Sequence, residues 1–281
     1  MSTSSLRFPF PVVGPARPQL GHPPASGEEG AHFLIRPPYR KLELHPSLQA
    51  LERHAHAPGV IAGVRIRSGT DWSRVQPLVA RLRASLLDAA IVLLLPGGSG
   101  VDLMLSARAA RGGVRAVLVD EEGMQERLRT ALTCRDSLAE DVVEWLMLRR
   151  LRLSPTVASL LREIFSHAPN HPDLTTLLSG VGMAESSARF RLHKRLLPTP
   201  SRWFQVARAL HCALRVQAEP QTSLLHIAHE FGFADHSALS QLIFRAFQVR
   251  PGAVRGTLGW EWLMHRWIRT IPEGAHTTRA P

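Results

Sequence analysis

The sequence predicts an α/β domain followed by an all-α domain, and three observations carry that prediction. Between residues 31 and 135, short apolar runs alternate with amphipathic stretches. From Ser137 to about residue 269 the apolar spacing is helical throughout. The chain has 281 residues, 44% of them hydrophobic, enough for two packed cores.

Residues 1–30 contain Pro9, Pro11, Pro15, Pro18, Pro23 and Pro24 among several glycines. Such a stretch propagates neither a helix nor a ladder and is expected to be a disordered tail. VIAGVRI (60–66) reads as a strand. SRVQPLVARLRASLL (73–87) carries a helical stripe at Val75, Leu78, Val79, Leu82 and Leu86, with Pro77 challenging its start. AIVLLL (90–95) is a fully apolar strand bounded by PGGSG. VDLMLSARAAR (101–111) reads as a helix, VRAVLV (114–119) as a strand and EGMQERLRTAL (122–132) as a helix. Continuous apolar strands alternating with helices predict a small parallel sheet covered on both faces. The region 31–135 is therefore expected to be an α/β regulatory or dimerisation domain. LAEDVVEWLMLRRLRL lies in an expected linker helix, 136–153. Ser154-Pro155 opens the next helix, with serine as cap and proline at the first helical position. The helical domain is expected over 154–269, and 270–281 as a second disordered tail.

Charge and motifs exclude several functions. The formal net charge is +11. Residues 1–150 hold 19 basic and 15 acidic side chains, and residues 151–281 hold 15 and 8. A basic excess concentrated in the helical half favours polyanions. Cys134 and Cys212 form no disulfide framework or zinc spacing. The apolar run AAIVLLL (89–95) is too short to span a bilayer, and the N-terminus lacks a secretory pattern. A cytoplasmic protein without membrane partners is expected. PGGSG matches neither dinucleotide nor P-loop spacing and reads as a structural turn. Asp120 ends a strand as a phospho-acceptor aspartate does in receiver domains. The strand 60–66 nevertheless ends in Arg65-Ile66-Arg67 rather than an acidic pair, so the domain is receiver-like in outline only. His45, His54 and His56 have no carboxylate or cysteine to complete a metal site. No catalytic residue, metal site or cofactor is expected.

The stretch HIAHEFGFADHSALSQLIFRAFQVRPGAVR (226–255) is the most informative. A first helix presents Leu224, Ile227, Ala228 and Phe231. Gly232 takes a positive φ at no steric cost and ends it. Asp235 or Ser237 caps a second helix that buries Leu239, Leu242, Ile243, Ala246 and Phe247. Its other face carries His236, Ser237, Ser240, Gln241 and Arg245. Two short helices joined by a glycine turn form a helix-turn-helix, whose polar second helix suits the major groove.

This stretch resembles the second helix-turn-helix of AraC/XylS-type transcription regulators, through Ile227-Ala228, Gly232-Phe233, Leu239, Ile243, Pro251 and Arg255. The resemblance implies an earlier, weaker copy, supplied by residues 174–217. There Gly182-Met183 matches the turn, and Ala188 and Leu192 match the buried helix positions. Thr199-Pro200, Trp203 and Arg208 match a linker helix. Leu197 and Gln248 stand where the family has glycine, and Phe244 where it often has lysine. The resemblance covers about 154–267 and implies two helix-turn-helix motifs joined by a linker helix. The family's usual β-barrel sensor is not visible upstream. By length alone, the 19 residues 200–218 make a rod of about 28 Å, near the roughly 34 Å repeat of the major groove.

The expected DNA-contacting residues are Ser186, Ser187, Arg189, Phe190, Arg191, His193, Lys194, His236, Ser237, Ser240, Gln241 and Arg245. Arg189 suits guanine and Phe190 a thymine methyl, with Ala188, Leu192 and Leu196 as the buried side. Arg191, Lys194, Arg195 and Arg202 suit phosphates. Arg191 and Lys194 read equally well as solvated charge, and His236 as a cap. Trp203, Trp260, Trp262 and Trp267 read as packing residues. The expected function is a sequence-specific transcription regulator on the nucleoid, with double-stranded DNA as partner. RNA polymerase and a second copy of the chain, joined through the N-terminal domain, are further partners. The alternatives are a non-catalytic scaffold or nonspecific DNA binder with a degenerate motif pair, and an enzyme in the α/β domain.

Overall fold

A computed structural model of the chain describes residues 12–13, 32–68, 71–149, 151 and 153–271. The two expected disordered tails therefore lie almost wholly outside the described residues. Two exceptions correct the expectation: Val12–Val13 is a strand and Ile271 is buried.

The chain forms two compact units. One comprises the residues up to Leu132 together with Thr257–Glu261, and the other comprises Thr133–Gly256 with the residues from Trp262 onward.

The first unit is built on a sheet with the order β1-β3-β2-β4-β5-β6. Its strands are β1 (Val12–Val13), β2 (His32–Ile35), β3 (Leu42–His45), β4 (Ile61–Arg65), β5 (Ala90–Leu95) and β6 (Ala116–Val119). Strands β4, β5 and β6 are parallel neighbours. The expected all-parallel sheet is corrected, because β2 runs antiparallel to both β3 and β4. Only Arg36–Lys41 separates β2 from β3. Six residues cannot carry a crossover, so the chain can only fold back on itself.

The helices of this unit are α1 (Leu48–His54), α2 (Trp72–Ser85), α3 (Leu103–Arg111) and α4 (Met124–Thr133). Ser47 caps α1 by accepting from the Ala50 amide, and Asp102 caps α3 by accepting from Met104. Pro77 stays inside α2 rather than breaking it. It is exposed, as is Ser73 four residues earlier, whose carbonyl loses its usual donor on the side open to water.

Alternation along the strands fills both faces of the sheet. Leu34, Val64, Ile91 and Leu93 pack with Leu51, Val79, Leu82 and Leu105 of the first three helices. Phe33, Ile35, Val92 and Leu94 pack on the opposite face with Leu128 and Leu132 of α4 and with Leu258. This two-sided burial explains why AIVLLL is apolar throughout. Gly63 is needed between the faces: a Cβ there would lie 2.3 Å from the Phe33 ring and 2.5 Å from the Val92 carbonyl.

Thr257–Glu261 completes the first unit. The buried Tyr39 hydroxyl donates to the Gly59 carbonyl at 2.9 Å and accepts from the Leu258 amide at 2.5 Å. Burial raises the Tyr39 phenol pKa, so it remains a neutral donor. Arg115 pairs with Glu261 at 3.3 Å in a buried site.

The second unit is helical. It contains α5 (Leu138–Leu148), α6 (Pro155–His167), α7 (Leu174–Gly180), α8 (Glu185–His193), α9 (Pro200–Ala218), α10 (Leu224–Glu230), α11 (His236–Phe247), α12 (Pro251–Arg255) and α13 (Glu261–Ile268, whose first residue belongs to the first unit). Helix α9 is its centre, touching α6, α7, α8, α10, α11 and α12. Its Trp203 ring meets Trp267 edge-on at 4.6 Å and Phe165 at 6.2 Å. Helix α5 packs on α6 and buries Leu138, Val142, Val143 and Leu146. Among the described residues, no helix is long and apolar enough to cross a membrane.

Candidate nucleic-acid interface

Two helix pairs, α7–α8 and α10–α11, are built on the same local rules. Asp173 caps α7 by accepting from Thr176 at 2.8 Å, and Ser223 caps α10 by accepting from His226 at 3.1 Å. The first helix of each pair ends in the same turn. The Met183 amide donates to the Leu178 carbonyl at 2.9 Å, five residues back, across Gly182 at φ +66°. The Phe233 amide donates to the Ala228 carbonyl at 2.9 Å across Gly232 at φ +73°. A bond from the sixth residue to the first, spanning a left-handed glycine, satisfies an orphan carbonyl and turns the chain sharply.

The second helices present their polar sides outward. On α8, Ala188 and Leu192 are buried, while Ser186, Ser187, Arg189, Phe190, His193 and Lys194 are exposed. Phe190 is 67% exposed. Arg191 is half-buried, with its guanidinium 3.9 Å from the Met183 sulfur. Leu196, expected on the buried side, is exposed, and Leu197 is buried instead. Leu196 takes the left-handed conformation at φ 57°, which rotates its side chain off the helix face.

On α11, Leu239, Ile243, Ala246 and Phe247 are buried, and His236, Ser237, Gln241 and Arg245 are exposed. Leu242 is only half-buried. Ser240 is half-buried and its hydroxyl donates to the His236 carbonyl at 2.7 Å, which occupies it locally. Asp235 is the cap, accepting from Ala238 at 2.9 Å, and its side chain spares Ser237 that task. The backbone amides of Ala238 and then Ser237 hold the Asp235 carboxyl below its usual range.

Helix α9 positions both pairs through Arg208. Its guanidinium donates to the Phe231 carbonyl at the end of α10 at 2.7 Å, and to the Pro172 carbonyl ahead of α7 at 3.2 Å. It also stacks 4.7 Å from the Phe233 ring. A planar fork suits two carbonyls and a ring at once. Arg266 closes the far end of α11 by donating to Phe247 and Gln248 carbonyls, and Arg255 donates to the Thr222 carbonyl ahead of α10.

Six of the twelve expected residues line two shallow concavities. Ser186, Arg189, Phe190 and His193 line one shallow concavity together with Glu185. Gln241 and Arg245 line another with Ser201, Arg202 and Gln205 of α9. Ser187, Arg191 and Lys194 on α8 and His236, Ser237 and Ser240 on α11 line neither. Sequence reading missed Glu185, whose carboxylate accepts from Arg189 at 2.8 Å. The i,i+4 spacing of the two residues was the available signal. Arg202 enters the α11 concavity, a placement that sequence separation hides.

The first unit offers less. Arg65 pairs with Asp120 at 3.0 Å, so the strand-end aspartate has a cation beside it. Glu121 accepts from the Gly98 amide at 2.9 Å, placing a carboxylate where a phosphate would sit in the PGGSG turn. The His45 and His54 rings lie 5.3 Å apart, and burial lowers the His45 pKa. Among the described residues, no group of three or more His, Cys, Asp or Glu side chains could hold a metal ion. No family model, curated protein or solved structure matches the chain.

Proposed function

We propose that the chain is a sequence-specific regulator that binds double-stranded DNA in the manner of the AraC/XylS-type proteins it resembles, as two helix-turn-helix readers on one linker helix. One observation carries the reading. Two helix pairs repeat the same capped helix, left-handed glycine turn and outward polar helix, and both are bonded to α9 through the single guanidinium of Arg208. In this reading α8 is the principal reader. Arg189 and Phe190 approach base edges, Arg191, Lys194 and Arg195 offer charge to phosphates, and His193 offers a ring nitrogen to the same face. Helix α11 contributes His236, Ser237, Gln241 and Arg245, with Ser186, Ser187 and Ser240 as minor contacts. RNA polymerase and a second copy of the chain are the further partners of such a regulator.

A nonspecific DNA-binding role is the second reading, because the exposed face of α11 carries a single arginine, Arg245. Selection of bound duplexes from a random pool by the full chain, followed by footprinting, separates the two. A protected site of about two helical turns is expected for two readers in successive major-groove segments. Uniform recovery of all sequences at physiological salt sinks the sequence-specific reading. Arg189→Ala is expected to cost about 1–3 kcal/mol on the selected site and to relax preference at one base pair. Competition binding with single-base variants of that site measures this.

A further inference from the structure

Glu185 opens α8 and shares its outward concavity with Ser186, Arg189, Phe190 and His193. It is the sole acidic residue of that helix, within the more basic half of the chain. Its Oε1 accepts from Arg189 Nη2 at 2.8 Å, one helical turn away. Both side chains remain open to solvent, at 40% and 66% exposure. Among the described residues, Glu185 Oε2 and the Nε and Nη1 groups of Arg189 make no hydrogen bond.

An exposed Glu–Arg pair at this spacing adds only about 0.3–0.5 kcal/mol to a helix. A carboxylate facing a phosphate-rich duplex, by contrast, is repelled almost everywhere. Base edges in the major groove that accept hydrogen bonds, such as guanine N7 and O6 or thymine O4, repel it as well. Cytosine N4 is a donor that a carboxylate can meet, and Arg189 retains free N–H groups for guanine O6 and N7. The pair thus combines a cation that seeks guanine with an anion that tolerates an amino group beside it.

We propose that Glu185 is a specificity-determining residue of the DNA-reading face, coupling guanine at the Arg189 position to cytosine at the neighbouring one. The inference rests on the DNA-binding reading above. Glu185 acts mainly by exclusion: it penalises thymine and guanine at its own position and holds the Arg189 fork in one orientation.

The test is competition binding of the full chain to the selected duplex and to its single-base variants, at two salt concentrations. Wild type, Glu185→Gln and Glu185→Ala are compared, with helicity checked by circular dichroism. The expected result is position-specific. Both variants bind duplexes with thymine or guanine at one position about 5- to 150-fold more tightly, a range converted from about 1–3 kcal/mol per base contact. The cytosine duplex changes far less, and guanine preference at the adjacent position survives. An equal gain on every sequence, shrinking with salt, overturns the proposal and leaves Glu185 as a charge alone. An equal loss on every sequence overturns it in favour of helix support. Wild type without any preferred duplex is a different failure, since it removes the sequence-specific reading itself before the variants are compared.

Discussion

Gln248 shows how a single residue can carry strain without disturbing the fold. It ends α11 at φ 55°, where the resemblance to AraC/XylS-type proteins implies glycine. A side chain in this conformation costs roughly 1–2 kcal/mol, partly offset by the larger freedom that glycine has in the unfolded chain. The Gln248→Gly variant is therefore expected to gain about 0.5–1 kcal/mol in urea unfolding. At the end of α8 the left-handed residue is Leu196 rather than the aligned Leu197. The Leu197 amide donates to the Leu192 carbonyl at 3.0 Å across Leu196, so the helix closes one residue before the position matched to glycine. Arg189 and Glu185 show a related limit. Each residue type was readable in the sequence, but only the folded helix shows the 2.8 Å bond that joins them.

At the scale of elements, α9 is more than a spacer. Sequence spacing gave it an apolar stripe, yet it is buried almost all round because six helices lie against it. That burial captures His211, whose Nε2–H donates to the Phe165 carbonyl at 2.7 Å. Desolvation lowers its pKa to about 4, with the Phe165 bond opposing the shift. The unfolded value is about 6.5, so the unfolded chain binds the extra proton between those limits. Stability from this group is complete above pH 6.5 and is lost as pH falls toward 4. From pH 7 to pH 5 the second unit should lose about 2 kcal/mol from this residue. A urea series at the two values measures it, and His211→Gln, which keeps a donor for Phe165, should flatten the difference. Arg208 belongs to the same scale. It appeared in the sequence as one matched position, and only the packed helices reveal that it bonds to both pairs.

At the scale of the whole molecule, the chain passes between its units three times, after Leu132, Gly256 and Glu261. A division at one linker, as the change in periodicity suggested, leaves the first unit incomplete. Leu258 fills the sheet face that Phe33, Val92 and Leu94 line, and it is 2% exposed. Leu258→Ala should cost the first unit about 2–4 kcal/mol. Hydrogen exchange of the β5 amides reads that loss directly, and undiminished protection there would contradict the role assigned to the segment. The corresponding sequence, Thr257–Glu261, sits between two helical segments and carries no strand or helix pattern. Nothing local marks it as part of an α/β core.

By itself the sequence determined the order of classes along the chain, the buried strands β4 to β6, most of the helices, and the outward polar faces of α8 and α11. These follow from periodicity and capping, which act over a few residues and are therefore written locally. Tertiary structure alone decided the antiparallel course of β2, the capture of Thr257–Glu261, the bonding of both helix pairs through Arg208, and the packing that keeps His211 neutral. Each of these depends on which distant surfaces meet, and contact energies between residues far apart in the chain leave no periodic trace in the sequence.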